Sequence, residues 1–261
     1  MELNSYNFIR WSEDDSSSPS ALPQAYIRER DQYPYMPVLV PGETSSFYIN
    51  LADGVDYAGT LSLRIIKDGV STAIAGLEID DLGTGFYNPY AEFVTPVLGN
   101  GIYQLQIINE LSEVLLTSNY VRVMNSGYEN TTAYFEFRND VDLYNTRYSV
   151  LTDFYQKIRL HITEVDSQFE QNREQYQSVT SGKYRNLLAT DQNFITFQSY
   201  FFDKEAHKAV ACMIGHSEIY INTKQYTFKT GYKYDPILLS MKTKGIFEMY
   251  DPEFVTINKC G

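Results

Sequence analysis

The three histidines are the side chains best suited to acid–base or metal chemistry, and their spacing favours neither. His161 lies between two apolar residues in a strand-like run, and His207 and His216 lie on either side of a predicted helix end. Metal sites gather ligands at short spacings such as HExxH or HxH, and the sequence contains neither motif. We therefore expect each histidine to be structural or exposed, and we predict no metal site.

The cysteines and serines do not form a pattern for nucleophilic catalysis either. Cys212 follows His207 by five positions, and residues at that spacing do not share a helix face. The sequence has no G-x-S-x-G elbow and no glycine-rich phosphate loop. With only 2 cysteines there is no disulfide framework, so we expect Cys212 and Cys260 to be free thiols in a reducing compartment. We predict no catalytic residue and no cofactor.

Acidic residues offer the remaining chemistry. Glu78, Asp80 and Asp81 could begin a calcium loop, but the pattern D-x-[DN]-x-[DN]-G is not completed, so we interpret them as a solvated loop. An enzyme that assembles its site from distant carboxylates remains an open alternative, because the chain has 33 Asp and Glu residues and sequence does not show their separation in space.

Composition indicates β structure and interfaces. The 261-residue chain has a net charge of −12, which argues against a nucleic-acid surface because phosphates require a basic face. Aromatic residues make up 15%, with 23 Tyr and 15 Phe but a single Trp. Tyr and Phe favour half-buried strands, and Tyr also suits protein interfaces.

The start of the chain and its hydropathy bear on location. Residues 1–4 carry no basic segment followed by an apolar one, so we expect no signal peptide. No run approaches the roughly 18 apolar residues of a spanning helix, so we expect no membrane partner.

The elements that would position any site fall into three predicted units. Residues 1–31 form an N-terminal arm, 32–126 a first domain and 127–261 a second domain. The turn residues Asn125-Ser126-Gly127 are the predicted linker between the two domains. Residues 1–126 hold 6 basic and 16 acidic residues (net −10), and 127–261 hold 15 and 17 (net −2), which supports the division. The arm either packs on its own domain or lies on a neighbouring subunit.

The first domain is predicted to be an immunoglobulin-like β-sandwich. Short alternating runs at 46–51, 61–66 and 101–108 are separated by turn residues. The run Gly101-x-Tyr103-x-Leu105-x-Ile107 resembles the late strand of immunoglobulin-like domains, in which a Tyr near the strand start bonds back across a corner. The Cys…Trp…Cys spacing of antibody domains is absent.

The second domain is predicted to be β-rich (α+β) with one clear helix near 204–214. Asp203 is a suitable N-cap, and Gly215 follows the last apolar residue. Further predicted strands are 131–138, 154–165, 194–202, a hairpin at 219–229 and a last strand pair, or strand and loop, at 246–257. The polar stretch 166–178 is predicted to be a loop or a short exposed helix. The fold class is therefore mainly β.

Three stretches of the second domain, residues 195–209, 219–226 and 251–259, resemble virion structural proteins of tailed bacteriophages. The resemblance is to tail, collar or ring components of crAss-like and related gut phages, and it rests on strand order and texture. It implies a virion protein made in the host cytoplasm without a signal peptide, with copies arranged in a ring around the tail axis or attached to it. Its partners would be other copies and other tail or collar proteins. The family brings no catalytic residues.

The sequence hypothesis is therefore a non-enzymatic structural subunit that acts through protein–protein interfaces. The alternative is a carbohydrate- or host-surface-binding β-sandwich module, favoured by the aromatic content but not by the single Trp. Each candidate contact residue has local packing as its competing explanation. The candidates are Phe8, Trp11 and Tyr26 in the arm, and Tyr87, Tyr90, Tyr232 and Tyr234 in the body.

Overall fold

The chain is mainly β, as predicted. A computed structural model describes residues 2–3, 8–13, 36–49, 60–81, 87–144, 146–234 and 243–259. The strands in chain order are β1 (Glu2–Leu3), β2 (Trp11–Glu13), β3 (Val38–Leu39), β4 (Thr44–Tyr48), β5 (Ser62–Lys67), β6 (Val70–Gly76), β7 (Glu78–Asp81), β8 (Tyr87–Val94), β9 (Gly101–Ile108), β10 (Val114–Val123), β11 (Ala133–Arg138), β12 (Gln156–Leu160), β13 (Ile162–Gln177), β14 (Tyr184–Ser199), β15 (Glu218–Ile221), β16 (Lys224–Tyr234) and β17 (Gly245–Lys259).

Most strands belong to one large sheet. Its order is β13-β14-β17-β16-β15-β11-β12-β3-β10-β9-β5-β6. In addition, β2 pairs with β10, and β1 pairs with β2. A smaller sheet has the order β4-β8-β7. The turn between β5 and β6 has positive φ at Asp68 (51°) and Gly69 (79°), the backbone of a type I′ hairpin turn that matches strand twist.

The short strand β3 continues the large sheet across the predicted linker at 125–127. Val38 is the partner of Arg122 on β10 in a parallel pairing and of Arg159 on β12 in an antiparallel one. Backbone hydrogen bonds thus join strands from before and after the linker. The domain boundaries themselves stay a prediction.

The main core lies between the two sheets and extends under the helix. Along β9 every second side chain is buried, and these pack with Phe47 and Phe93 of the smaller sheet. This is the two-residue alternation of a sheet with one covered face. Tyr103 of β9 also donates a hydrogen bond from its hydroxyl to the Gly99 carbonyl at 2.9 Å.

The predicted helix is confirmed as α1 (Lys204–Met213), the one α-helix among the described residues. The Ala206 amide donates to the Asp203 side chain at 2.7 Å, so Asp203 is the N-cap. The buried face of α1 carries Ala206, His207, Ala209, Val210 and Met213. No helix in the described ranges has the length and apolarity needed to cross a bilayer.

The structure differs from the sequence prediction most at 166–178. Residues 166–177 are neither loop nor helix: they continue β13, which pairs with β14 from Ile162 to Gln177. Residues 114–123 form the single strand β10, which pairs with β9 and has an irregularity between Thr117 and Tyr120. Likewise, 246–257 lies within the single strand β17.

Candidate interaction surfaces

The described part of the arm is fixed to its own chain by Asn119. The Arg10 amide donates to the Asn119 side-chain oxygen at 2.9 Å, and the Asn119 side-chain amide donates to the Phe8 carbonyl at 3.1 Å. The Asn119 backbone amide donates to the Arg10 carbonyl at 2.8 Å. Asn119 lies where the β9–β10 ladder is irregular, so its polar groups are available to the arm rather than to β9.

Two of the three predicted arm contacts are core residues of their own chain. Trp11 is 0% exposed and packs against Phe47 with ring centroids 4.8 Å apart, and Phe8 is 7% exposed. In this arrangement neither side chain is accessible to a neighbouring subunit. Both pack locally, which was the competing explanation for these residues. Tyr26 lies outside the described residues.

Two further candidates, Tyr87 and Tyr90, lie on strand β8. Tyr87 begins the strand, and only its backbone is described. Tyr90 donates from its hydroxyl to Glu78 at 2.6 Å and meets the Phe154 ring edge-on at 5.6 Å. Tyr90 therefore packs locally, between the small sheet and the segment before β12.

Tyr232 and Tyr234, the last two candidates, are brought together on β16 by His207 of α1. The His207 ring stacks on Tyr234 with centroids 4.4 Å apart and an interplanar angle of 6°. Its Nδ1 lies 2.5 Å from the Tyr232 hydroxyl and its Nε2 lies 2.8 Å from the Thr243 hydroxyl. Tyr234 is 39% exposed, whereas His207 is 1% exposed. This cluster fastens the helix to β16 and leaves one face of Tyr234 open.

Burial sets the ionisation of this cluster. It lowers the pKa of His207 and raises the pKa of Tyr232, so both groups are neutral near pH 7. A Cβ at Gly245 would collide with the Tyr232 ring, which explains why glycine stands at the start of β17. Because both imidazole nitrogens are hydrogen-bonded to hydroxyls and the ring is buried, His207 has a structural role in packing.

Two further histidines and Cys212 are also held in neutral forms. His216 Nδ1 donates to the carbonyls of Cys212 (2.9 Å) and Met213 (3.0 Å), so its Nε2 accepts from the Tyr148 hydroxyl at 3.0 Å. Burial lowers the pKa of His216, and it lowers the pKa of His161 to about 4. Burial raises the pKa of the Cys212 thiol to about 11, so little thiolate is present at neutral pH.

The surface that the sequence did not predict is a protruding β-ribbon. It consists of residues 169–177 of β13, 184–193 of β14 and 255–259 of β17, paired in that order, and we call it the outer ribbon. Every described side chain from 171 to 177 is exposed, so both faces of this part of β13 are open. Nine residues of strand extend roughly 30 Å.

Apolar side chains on and beside the outer ribbon are exposed. Phe169 is 58%, Tyr176 41% and Tyr184 68% exposed, and Val179 in the connecting turn is fully exposed. The turn contains Gly182 with φ 65°, and Ser181-Gly182 was the one sequence signal for a hairpin here. Tyr176 points to one face of the outer ribbon, whereas Phe169 and Tyr184 point to the other, so a partner that buries all three would cover both faces.

At the base of the outer ribbon, a lysine links its two sides. Lys229 of β16 places its Nζ 3.0 Å from a carboxylate oxygen of Glu170 on β13 and 3.7 Å from one of Glu248 on β17. The same Nζ lies 2.9 Å from the centre of the Phe194 ring. A cation over an aromatic face and beside two carboxylates stabilises this part of the sheet.

Sites for small ligands or metals are not prominent in the described ranges. They contain no group of three or more His, Cys, Asp or Glu side chains placed to hold a metal ion. One cleft lies between Phe8, Phe47 and Ile158 and has room for about one water molecule.

Comparison with known proteins gives no assignment. No protein family model matches the sequence. A comparison with curated proteins also found no match.

Proposed function

We propose that this chain is a non-enzymatic structural subunit of a bacteriophage particle, a tail or collar ring component that acts through protein–protein interfaces. The observation that carries the proposal is the outer ribbon, a projection roughly 30 Å long with exposed Phe and Tyr side chains. The resemblance of the second domain to virion structural proteins supplies the biological setting.

The outer ribbon supports an interface because the described side chains on its β13 strand are exposed. A small antiparallel sheet is stable in water when one face is covered by apolar contacts or by another element. Along 171–177 the described side chains of β13 are exposed on both faces. A partner protein would provide the missing cover, and Phe169, Tyr176 and Tyr184 are the contacts that we expect it to bury.

We also propose an immunoglobulin-like architecture for residues 32–126. The hydrogen bond from the Tyr103 hydroxyl to the Gly99 carbonyl has the form of a tyrosine corner, in which a Tyr near a strand start bonds a few residues upstream. The packing of Phe47 and Phe93 from the small sheet against the β9 face agrees with a two-sheet sandwich. Such a domain would act as a spacer or attachment module in the particle.

The state of the polar groups supports a structural role over catalysis. Nucleophilic catalysis needs a thiolate or a hydroxyl beside an accessible base. Cys212 has a pKa of about 11, and His207 is fully committed to two hydroxyls and a tyrosine ring. The alternative of sugar binding loses its best stacking ring, because Trp11 is buried.

The test is the mass of the purified chain by light scattering, with negative-stain images of the same sample. We expect a closed oligomer, or a monomer that binds other virion proteins in a pull-down. A chain that stays monomeric at all concentrations and binds no virion protein contradicts the proposal. A glycan array with clear binders would instead favour the carbohydrate-binding module.

A further inference from the structure

The four strands β13-β14-β17-β16 form a sheet section with two different edges. Among the described strands, β13 pairs only with β14, and residues 227–234 of β16 pair only with β17. An open edge presents unpaired backbone groups and is a template for pairing with another chain. These two edges are therefore the places where this sheet section can be extended.

Strand direction allows one copy to continue into the next. All three pairings in this section are antiparallel, so β13 and β16 at its two edges run in opposite directions. When a second copy follows in the same orientation, its β13 lies antiparallel to β16 of the first. The alternation is unbroken, and this head-to-tail contact can repeat and close into a ring.

The charges on the two edges are opposite. Strand β13 carries four acidic residues and one arginine, whereas residues 227–234 of β16 carry two lysines and no acid. Lys229 and Glu170 already pair within the chain, so complementarity between copies depends on Asp166, Glu174 and Lys233. Asp166 and Glu174 on β13 and Lys233 on β16 are all exposed. Opposite charges on two edges of one subunit favour contact between unlike edges and disfavour contact between like edges.

The opposite charges also lie on the same face of the sheet. Asp166 is the cross-strand partner of Thr196, which is the partner of Glu248, so all three share a face. Ile246, two residues before Glu248, points to that face, and its partner on β16 is Lys233. Glu174 is eight residues beyond Asp166 in an uninterrupted ladder and points the same way. Continuing the sheet across copies would set the acidic row beside Lys233.

We propose that the acidic edge of β13 pairs with the lysine-bearing edge of β16 in a second copy of this chain. This inference rests on the proposed structural role and specifies the contact that builds the ring. Closure removes both open edges of this sheet section. It also places residues at the base of the outer ribbon, on the β13 side, beside Tyr234 of the neighbouring copy.

Charge reversal in the full-length chain tests the pairing. One variant carries Asp166→Lys and Glu174→Lys, a second carries Lys233→Glu, and a third combines all three changes. The first two place like charges across the contact, and the third restores opposite charges. Glu129→Lys, at an exposed position away from both edges, is the control for net charge. The measurement is oligomer mass against protein concentration, with circular dichroism to verify folding.

We expect each of the first two variants to need about ten-fold more protein to assemble, and the third to assemble as the wild type does. Glu129→Lys should assemble normally. Oligomers that are unaffected by both reversals overturn this pairing but leave the structural role intact. A wild-type chain that never self-associates also overturns the pairing, and the structural role then depends on the pull-down alone.

Discussion

His161 lies at the bend between β12 and β13, where its carbonyl accepts from the Tyr200 amide at 2.9 Å. Its side chain is 8% exposed, and burial, with the Arg122 charge second, lowers its pKa to about 4. Burial lowers the pKa of His207 and His216 too. All three histidine side chains are therefore neutral in the folded chain at neutral pH.

This makes the free energy of unfolding sensitive to acid. In the unfolded chain these histidines bind protons near pH 6.5, whereas in the folded chain His161 is protonated only near pH 4. Stability is therefore unaffected above about pH 7 and is lost as the pH falls through 6.5 toward 4. For His161 alone we expect a loss of about 2 kcal/mol between about pH 7.5 and pH 5.

Urea unfolding of the wild type and His161→Gln at several pH values measures this contribution. The substitution has a cost of its own that does not depend on pH, so only the slope is compared. We expect a shallower loss of stability in the variant below about pH 6.5. An unchanged slope would mean that His161 is not held neutral.

At the scale of elements, Asn119 adds side-chain hydrogen bonds to an arm that the β2–β10 pairing and buried aromatic residues also hold. Replacing Asn119 by Ala removes its bonds to the Arg10 amide and the Phe8 carbonyl. We expect a loss of about 2 kcal/mol, because each buried group left without a partner costs about 1–3 kcal/mol less any relaxation. Asn119→Asp, which keeps the acceptor for Arg10, should lose less.

The single tryptophan reports on this change. Trp11 is buried beside Phe47, so release of the arm should shift its fluorescence to longer wavelength before the rest of the chain unfolds. Asn130→Ala, at an exposed position, is the matched control. An unshifted spectrum in Asn119→Ala, with unchanged stability, would show that the arm is held by the β2–β10 pairing and its apolar contacts without Asn119.

Elements with one buried face could be predicted from sequence, and those with none could not. Strand β9 has the predicted bounds, 101–108, because its alternation follows the burial of one face. Residues 166–177 have no such alternation, because most of their described side chains are exposed on both faces, and pairing with β14 defines the strand. The tyrosines and tryptophan chosen as contacts show a related limit: residue type favours core and interface equally, and Trp11 belongs to the core.

At the scale of the whole molecule, strands from before and after residue 126 are joined by a charged contact as well as by the sheet. Arg159 of β12 donates two hydrogen bonds to the Glu43 carboxylate, at 2.8 and 2.6 Å, and one to Thr132 at 3.1 Å. The guanidinium also lies 4.9 Å from the centre of the Tyr128 ring. Arg159 is 8% exposed, so it depends on these partners.

Replacing Glu43 by Gln should therefore destabilise the whole chain. We expect a loss of about 1.5–3 kcal/mol, the range for a hydrogen bond to a charged group. Glu92→Gln breaks the pair between Glu92 and Lys157, in which Glu92 is 44% exposed, and should cost less than about 1 kcal/mol. Urea unfolding compares the two, and equal losses would contradict the role assigned to Arg159.

The position of β3 has a consequence for how the protein is made. Val38 has its sheet partners at Arg122 and Arg159, which are synthesised 84 and 121 residues later. At roughly 5–20 residues per second, Arg159 is synthesised roughly 6–24 s after Val38. Until Arg159 has been synthesised, β3 lacks its pairing with β12. A nascent chain stalled before Arg159 should therefore be digested by protease near residue 38, whereas a chain released after it should resist digestion.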